Sequence, residues 1–278
     1  MIEIITPKDW ESARAFAQEF FEWGGNWGFR GQHDASWSLV TSFERLAHKL
    51  PEQSLLETEL AMLDHFRRRA HLYISDPPAN KNNLEWLAMI QHYGGPSRLL
   101  DFSRSFYVAV FFAIERAGTD GAVWAIWNDR KKEVEDTELE NYFDLVNEGK
   151  SPQDLRVSRV EPKRMNQRLS IQQGFFLFPY NISRPFVDNL AGTLGISPEE
   201  AKVQMEKTEP TVDNAKQAKE ADPKVVKITL KTDLHRSILS DLKAMNVTHE
   251  SLYPGLAGFA QSLYFHMALS KERDNPAQ

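Results

Sequence analysis

The sequence predicts an α+β fold: a single domain over residues 1–278, in which short strands form a central mixed or antiparallel sheet flanked by helices. Three observations point there. Strand-like runs such as Gly121–Trp127 and Val225–Leu230 are short and rich in β-branched and aromatic residues. Helically spaced apolar residues recur between them, and the two kinds of segment interleave irregularly, unlike a doubly wound sheet. Phe106–Ile114 is apolar nearly all round, as a helix buried on every side should be.

In chain order, Thr6-Pro7 opens a helix with Trp10, Ala13, Phe16, Ala17, Phe20 and Phe21 at helical spacing, which Gly24-Gly25 should end. A short strand over 26–32 holds Arg30 between Phe29 and Gly31. Residues 37–46 turn into a helix, and Pro51–Tyr73 reads as a long amphipathic helix with Arg67, Arg68 and Arg69 at its negative end. A loop at 77–83 leads to a helix over Leu84–Tyr93. Gly94-Gly95-Pro96 then forms a turn, Arg98–Phe102 a strand end, and Ser103 or Ser105 caps the buried helix. Residues 128–150 read as solvated acidic surface with a short helix at 142–146, and 151–170 as irregular. Ser170–Pro179 reads as a strand containing a glycine. Residues 187–224 are charged and alanine-rich, which predicts a helical or mobile insertion dispensable for the core. A helix over 234–245 follows the strand at 225–230, then a last helix runs to about 269 and a frayed tail to Gln278.

Composition excludes several classes. A net charge of −6 argues against coating nucleic acid by bulk charge, though a local basic groove remains open. Without cysteine there is no disulfide scaffold, thiolate zinc site or cysteine nucleophile. Met1–Asp9 lacks the basic start and long apolar run of a signal peptide. The longest apolar run is about half of the ~18 residues a membrane span needs. A cytoplasmic protein with no membrane partner is expected.

The candidate site residues are polar groups in apolar surroundings. Arg30 is one; Arg98, Asp101 and Ser103 interrupt an apolar run; Gln172 and Gln173 precede a Phe-rich strand. A partly buried guanidinium needs a carboxylate or a phosphate. Either Asp101 pairs internally with Arg98 or Arg30, or at least one arginine faces a ligand. The chain has no P-loop, G-x-S-x-G, H-E-x-x-H or G-x-G-x-x-G. His33, Asp34, His92 and Asp101 fit no metal-ligand spacing, so no metal site is expected.

Four blocks stand out together: Trp27-Gly28-Phe29-Arg30-Gly31-Gln32 with Trp37-Ser38-Leu39; Gln91-His92-Tyr93-Gly94-x-Pro96-x-Arg98-Leu99-Leu100-Asp101; Val108-Ala109-Val110-Phe111-Phe112-Ala113; and Arg168-Leu169-Ser170-x-Gln172-x-Gly174-x-Phe176. In this order, over residues of about 20 to 180, they resemble the FRG domain, named for its Phe-Arg-Gly motif and found in bacterial and phage-related proteins. Leu252-Tyr253-Pro254-Gly255-Leu256 looks like that family's C-terminal block, while Gly95 and Ser97 depart from its more usual Leu and Thr.

A weaker resemblance is to ADP-ribosyltransferases. Phe29-Arg30-Gly31 is similar to their first motif, whose arginine steadies the phosphates and ribose of NAD, and Phe102-Ser103-x-Ser105 to their Ser-Thr-Ser strand. Where those enzymes carry a catalytic glutamate, this chain has Gln172-Gln173-Gly174. Glutamine can hydrogen-bond a ribose hydroxyl but carries no charge and is no base. The resemblance implies an ADP-ribosyltransferase-like core that takes NAD as substrate, transferring ADP-ribose or hydrolysing the glycosidic bond, in a bacterial toxin or phage-defence effector. It implies catalytic roles for Arg30, Ser103 and Gln172 converging on one cleft, with Gln32, His92, Tyr93, Arg98, Asp101 and Gln173 binding ligand. The alternative is a non-catalytic module that recognises a nucleotide, nucleic acid or protein through the same cleft.

Overall fold

A computed structural model describes residues 2–22, 26–47, 49, 51, 55–127, 136–148, 150, 152–212 and 214–270. The glycines at 24–25, the acidic run at 128–135 and the tail at 271–278 lie outside them. In chain order the strands are β1 (Ile2–Ile5), β2 (Trp27–Gln32), β3 (Leu100–Ser103), β4 (Gly121–Trp127), β5 (Val157–Val160), β6 (Gly174–Pro179) and β7 (Val225–Leu230). The helices are α1 (Trp10–Glu22), α2 (Ser42–Ala47), α3 (Leu55–Ala70), α4 (Asn83–His92), α5 (Phe106–Ile114), α6 (Asp136–Asn147), α7 (Gln167–Ile171), α8 (Phe186–Leu194), α9 (Pro198–Glu206), α10 (Ala215–Ala221), α11 (His235–Ala244), α12 (His249–Leu252) and α13 (Leu256–Ser270). The expected α+β architecture is present. None of the described helices is long and apolar enough to cross a membrane.

The strands form one sheet in the order β1-β7-β4-β2-β3-β6-β5, mixed because β1 runs parallel to β7 while the other pairs are antiparallel. Strand alternation sorts the core into layers. Phe29, Val123, Ala125, Val226 and Ile228 pack on one face with α1, α5 and α11. On the same face of the other half, Phe176, Phe178 and Val160 pack with α3, α4 and α6. Leu100, Phe102, Trp124, Ile126, Phe175 and Leu177 fill the opposite face with α8 and α9.

Helix α5 sits where the apolar run predicts, capped by Ser105, whose side chain accepts from the Val108 amide. Its closeness to the sheet rests on glycine. A Cβ on Gly31 would lie 2.1 Å from the Ala109 carbonyl oxygen, and one on Gly121 2.4 Å from that of Ala113. Backbone meets backbone there, so the Gly of Phe-Arg-Gly is a packing residue.

Four expectations need correction. The helix expected at 142–146 on a solvated surface is α6, from Asp136 to Asn147, and its Leu139, Tyr142, Phe143 and Val146 are buried against α3 and α4. Residues 151–170 are not irregular throughout: Val157–Val160 is the edge strand β5 and Gln167 begins α7. The charge of Arg159 obscured the strand; its guanidinium lies 4.2 Å over the Phe175 ring and pairs with Glu161. The strand expected from 170 begins at Gly174, because Asn166 caps α7 through the Leu169 amide at 2.7 Å. Residues 187–224 are helical as expected, in α8, α9 and α10, but their apolar residues pack on the core and the segment is not set apart from it. Val187, Leu190, Ala191, Ala201 and Met205 are buried with Ile2, Phe102 and Phe175, and the Thr211 amide donates to the Ile4 carbonyl at 2.8 Å.

Candidate functional site

Strand β2 matches β4 at all six positions but meets β3 only at Phe29–Ser103. Beyond that position the two strands part, and a cleft of about 210 Å³ opens over the seam. Phe29, Gly31, Asp101, Ser103, Gly174 and Phe176 line it, and alternation and register put all six on the same sheet face. Helix α4 supplies Gln91 and His92, α7 supplies Arg168, and Gln172 and Tyr253 complete the wall.

Arg30 also lines this cleft, but from the other side. Opposite Trp124 in the register, it starts on the reverse face from Ser103, and its Nη1 donates to the Asp101 carbonyl at 3.0 Å across the seam. Its Nε is buried with no hydrogen-bond partner, and the same is true of Gln91 Oε1. Such orphaned atoms carry a desolvation penalty of about 1–3 kcal/mol each unless something enters to meet them. Burial, the largest influence, pulls the Arg30 pKa below its ordinary value, while Asp101 opposes that pull.

The Asp101 side chain is exposed and pairs with neither arginine, contrary to the expected internal pair. Ser103 and Gln172 are present in the cleft but already engaged. The Ser103 hydroxyl donates to the Gln172 carbonyl at 2.7 Å and accepts from the Ser105 amide at 2.9 Å. Gln172 Nε2 donates to the Leu252 carbonyl at 3.0 Å. Both side chains knit the cleft wall; neither is a poised nucleophile. His92 has its pKa lowered, first by burial and then by the nearby Arg168 charge, so it stands neutral near pH 7.

Four expected ligand-binding residues lie outside the cleft. Arg98 is 1% exposed, and its fork grips Glu59 of α3, with Nη1 donating to the Tyr142 hydroxyl at 2.5 Å. Its charge is met internally by Glu59, a carboxylate in a polar run of the amphipathic helix α3. Gln32 is buried, taking the Trp124 indole N–H at 2.7 Å and donating to the Ser38 carbonyl. Tyr93 is exposed at the C-terminal cap of α4. Gln173 is exposed too; its positive φ of 50° makes the turn from α7 into β6, and its carbonyl accepts from the Arg104 amide.

The sequence reading passed over Arg168, Gln91 and Tyr253 as site residues, although all three stand in the motif blocks. The Arg168 guanidinium lies 4.4 Å over the Tyr253 ring. Among the described residues no carboxylate forms an ion pair with it. The cleft thus offers two guanidinium groups, one exposed carboxylate, a neutral imidazole and aromatic walls. That set suits an anionic ligand bearing hydroxyls and a flat ring.

Compared with known families, residues 25–121 match the model of the FRG domain, less than half of the 278-residue chain. Nothing among curated proteins or solved structures matches it. The match takes in Arg30, Asp101 and Ser103 and stops short of Arg168 and Gln172. It carries no support for the likeness to ADP-ribosyltransferases.

Proposed function

From an FRG domain over residues 25–121, we propose that the seam cleft binds a phosphorylated nucleotide, with NAD as the candidate substrate. The observation that carries this reading is a cleft lined by two guanidinium groups, Arg30 and an Arg168 with no ion-pair partner among the described residues, beside the exposed carboxylate of Asp101. Arg30 and Arg168 hold phosphate oxygens, and the aromatic wall takes the base. Asp101, the carboxylate of the cleft wall, accepts from a ribose hydroxyl and stabilises positive charge developing at the anomeric carbon as nicotinamide leaves. That division of labour replaces the glutamate that Gln172 cannot imitate.

The test is to incubate the purified protein with NAD and follow free nicotinamide by chromatography, with calorimetric titration alongside. Expected is multiple-turnover release that drops by about 100-fold or more in Asp101→Asn, while affinity changes only a few-fold. A second reading, recognition without chemistry, draws on the internal engagement of Ser103 and Gln172. Its signature is nucleotide binding with no nicotinamide released. Absence of binding by NAD, its mononucleotide half and ADP-ribose overturns both.

A further inference from the structure

Past Arg168 and Tyr253 the cleft continues into a second lobe of about 590 Å³, bounded by His33, Arg116, Gln167, Ala257 and Gln261. Arg168 and Tyr253 belong to both lobes and form the waist. The waist is braced from behind: the His249 ring stacks 4.3 Å from that of Tyr253, and its Nδ1 lies 2.9 Å from Glu115 Oε2. The first lobe, at about 210 Å³, is smaller than the roughly 300–1,000 Å³ usual for ligand sites, and the second brings the joint space into that range. His33 stands in the wall of the second lobe. His33 Nε2 is buried without a hydrogen-bond partner. Burial lowers the His33 pKa, with Glu115 opposing and Arg116 assisting, so the ring is neutral near pH 7 and suited to an uncharged hydroxyl or ring nitrogen.

We infer that the second lobe is the subsite for the far half of a dinucleotide: one mononucleotide half fills the first lobe, the bridging phosphates meet Arg168 at the waist, and the distal nucleoside lies against His33. This assignment rests on the nucleotide reading and adds the length of the ligand and the place of its second half. A mononucleotide leaves the larger lobe to water. Arg168, stacked on Tyr253 and open to both lobes, stands where a linker between two halves must pass.

The experiment is calorimetric titration with reduced NAD and with reduced nicotinamide mononucleotide, whose glycosidic bonds lack the cationic leaving group and stay intact. Ala257 is an exposed wall residue of the second lobe alone, so Ala257→Trp plugs that lobe and leaves the first open. The dinucleotide is expected to bind at least about 10-fold tighter than the mononucleotide, and Ala257→Trp to erase that advantage while mononucleotide affinity stays within about twofold. His33→Ala is expected to weaken the dinucleotide alone by about 5-fold. Equal affinities, or a dinucleotide indifferent to both substitutions, overturn the assignment while leaving the nucleotide reading in place. Loss of the mononucleotide in a variant that keeps its melting transition also overturns it, since the first half would then sit in the wrong lobe. If neither ligand binds the parent protein, the nucleotide reading fails and this assignment falls with it.

Discussion

Arg30 and Arg98 are both arginines in apolar surroundings beside the seam, yet their partners differ completely. Arg98 is closed on every side by Glu59, Tyr142 and the carbonyls of Pro179 and Tyr180. Removing Glu59 leaves a buried guanidinium uncompensated, so Glu59→Ala should lose about 3–5 kcal/mol of stability in chemical denaturation. Asp101 behaves otherwise. Its carboxylate is exposed and pairs with no arginine, so Asp101→Asn should shift stability by no more than about 0.5 kcal/mol, whatever it does to turnover. A large loss in Asp101→Asn, or a small one in Glu59→Ala, would reverse this assignment of roles. The sequence made Arg98 look like a ligand-binding residue because Glu59 lies in a polar run 39 positions away, and no local pattern marks it as buried. Arg30 stood out as a candidate from its setting between Phe29 and Gly31, and it lines the cleft. Its approach from the reverse face was not, because alternation can be applied only once the sheet order is known.

At the scale of elements, the tightest joint is α5 against β2 and β4. Gly31→Ala drives a Cβ into the Ala109 carbonyl, and neither backbone can yield without moving the helix. The expected loss is about 1–3 kcal/mol or more, read from the denaturation midpoint, with nucleotide affinity falling as the seam shifts. Helices α8, α9 and α10 test the opposite kind of error. The charged, alanine-rich composition of residues 187–224 reads as dispensable, but α8 buries most of its residues, α9 buries Ala201 and Met205, and α10 buries Ala218. Replacing residues 187–224 by a short Gly/Ser linker should therefore abolish the cooperative melting transition, and a transition within a few degrees of the parent would show the packing to be idle. Helix α5 and strands β4 and β7 were legible because their apolar content is dense. Strand β5 and the buried faces of α8–α10 were not, because their few apolar residues, such as Val157 and Val160 in β5 and Val187 and Leu190 in α8, stand among polar neighbours.

For the molecule as a whole, the cleft histidines tie stability to pH. His33 and His92 both titrate below their ordinary 6.5 because burial disfavours the imidazolium. The unfolded chain therefore takes up these protons first as the pH falls. Their contribution is present above about pH 6.5 and is lost as the pH drops through their lowered folded values. The melting temperature should decline from about pH 7.5 to about pH 5.5, and less steeply in His33→Gln/His92→Gln; identical slopes would remove the two rings from the account. Most of the sheet was readable as separate strands, but its joint was not, since register is a property of pairs. That joint has a mechanical meaning. The strands β1-β7-β4-β2 form one leaf and β3-β6-β5 another, bound at Phe29–Ser103 and by the reach of Arg30 to the Asp101 carbonyl. Flexing along any other line breaks a whole ladder of backbone hydrogen bonds; flexing along this one releases a single rung and one guanidinium contact within the sheet, while the apolar layer of Phe102, Trp124 and Phe175 beneath it bends. The spine of the book runs through the candidate cleft, so amides along it should exchange with solvent ahead of those inside either leaf, and a ligand that grips both leaves should slow them first.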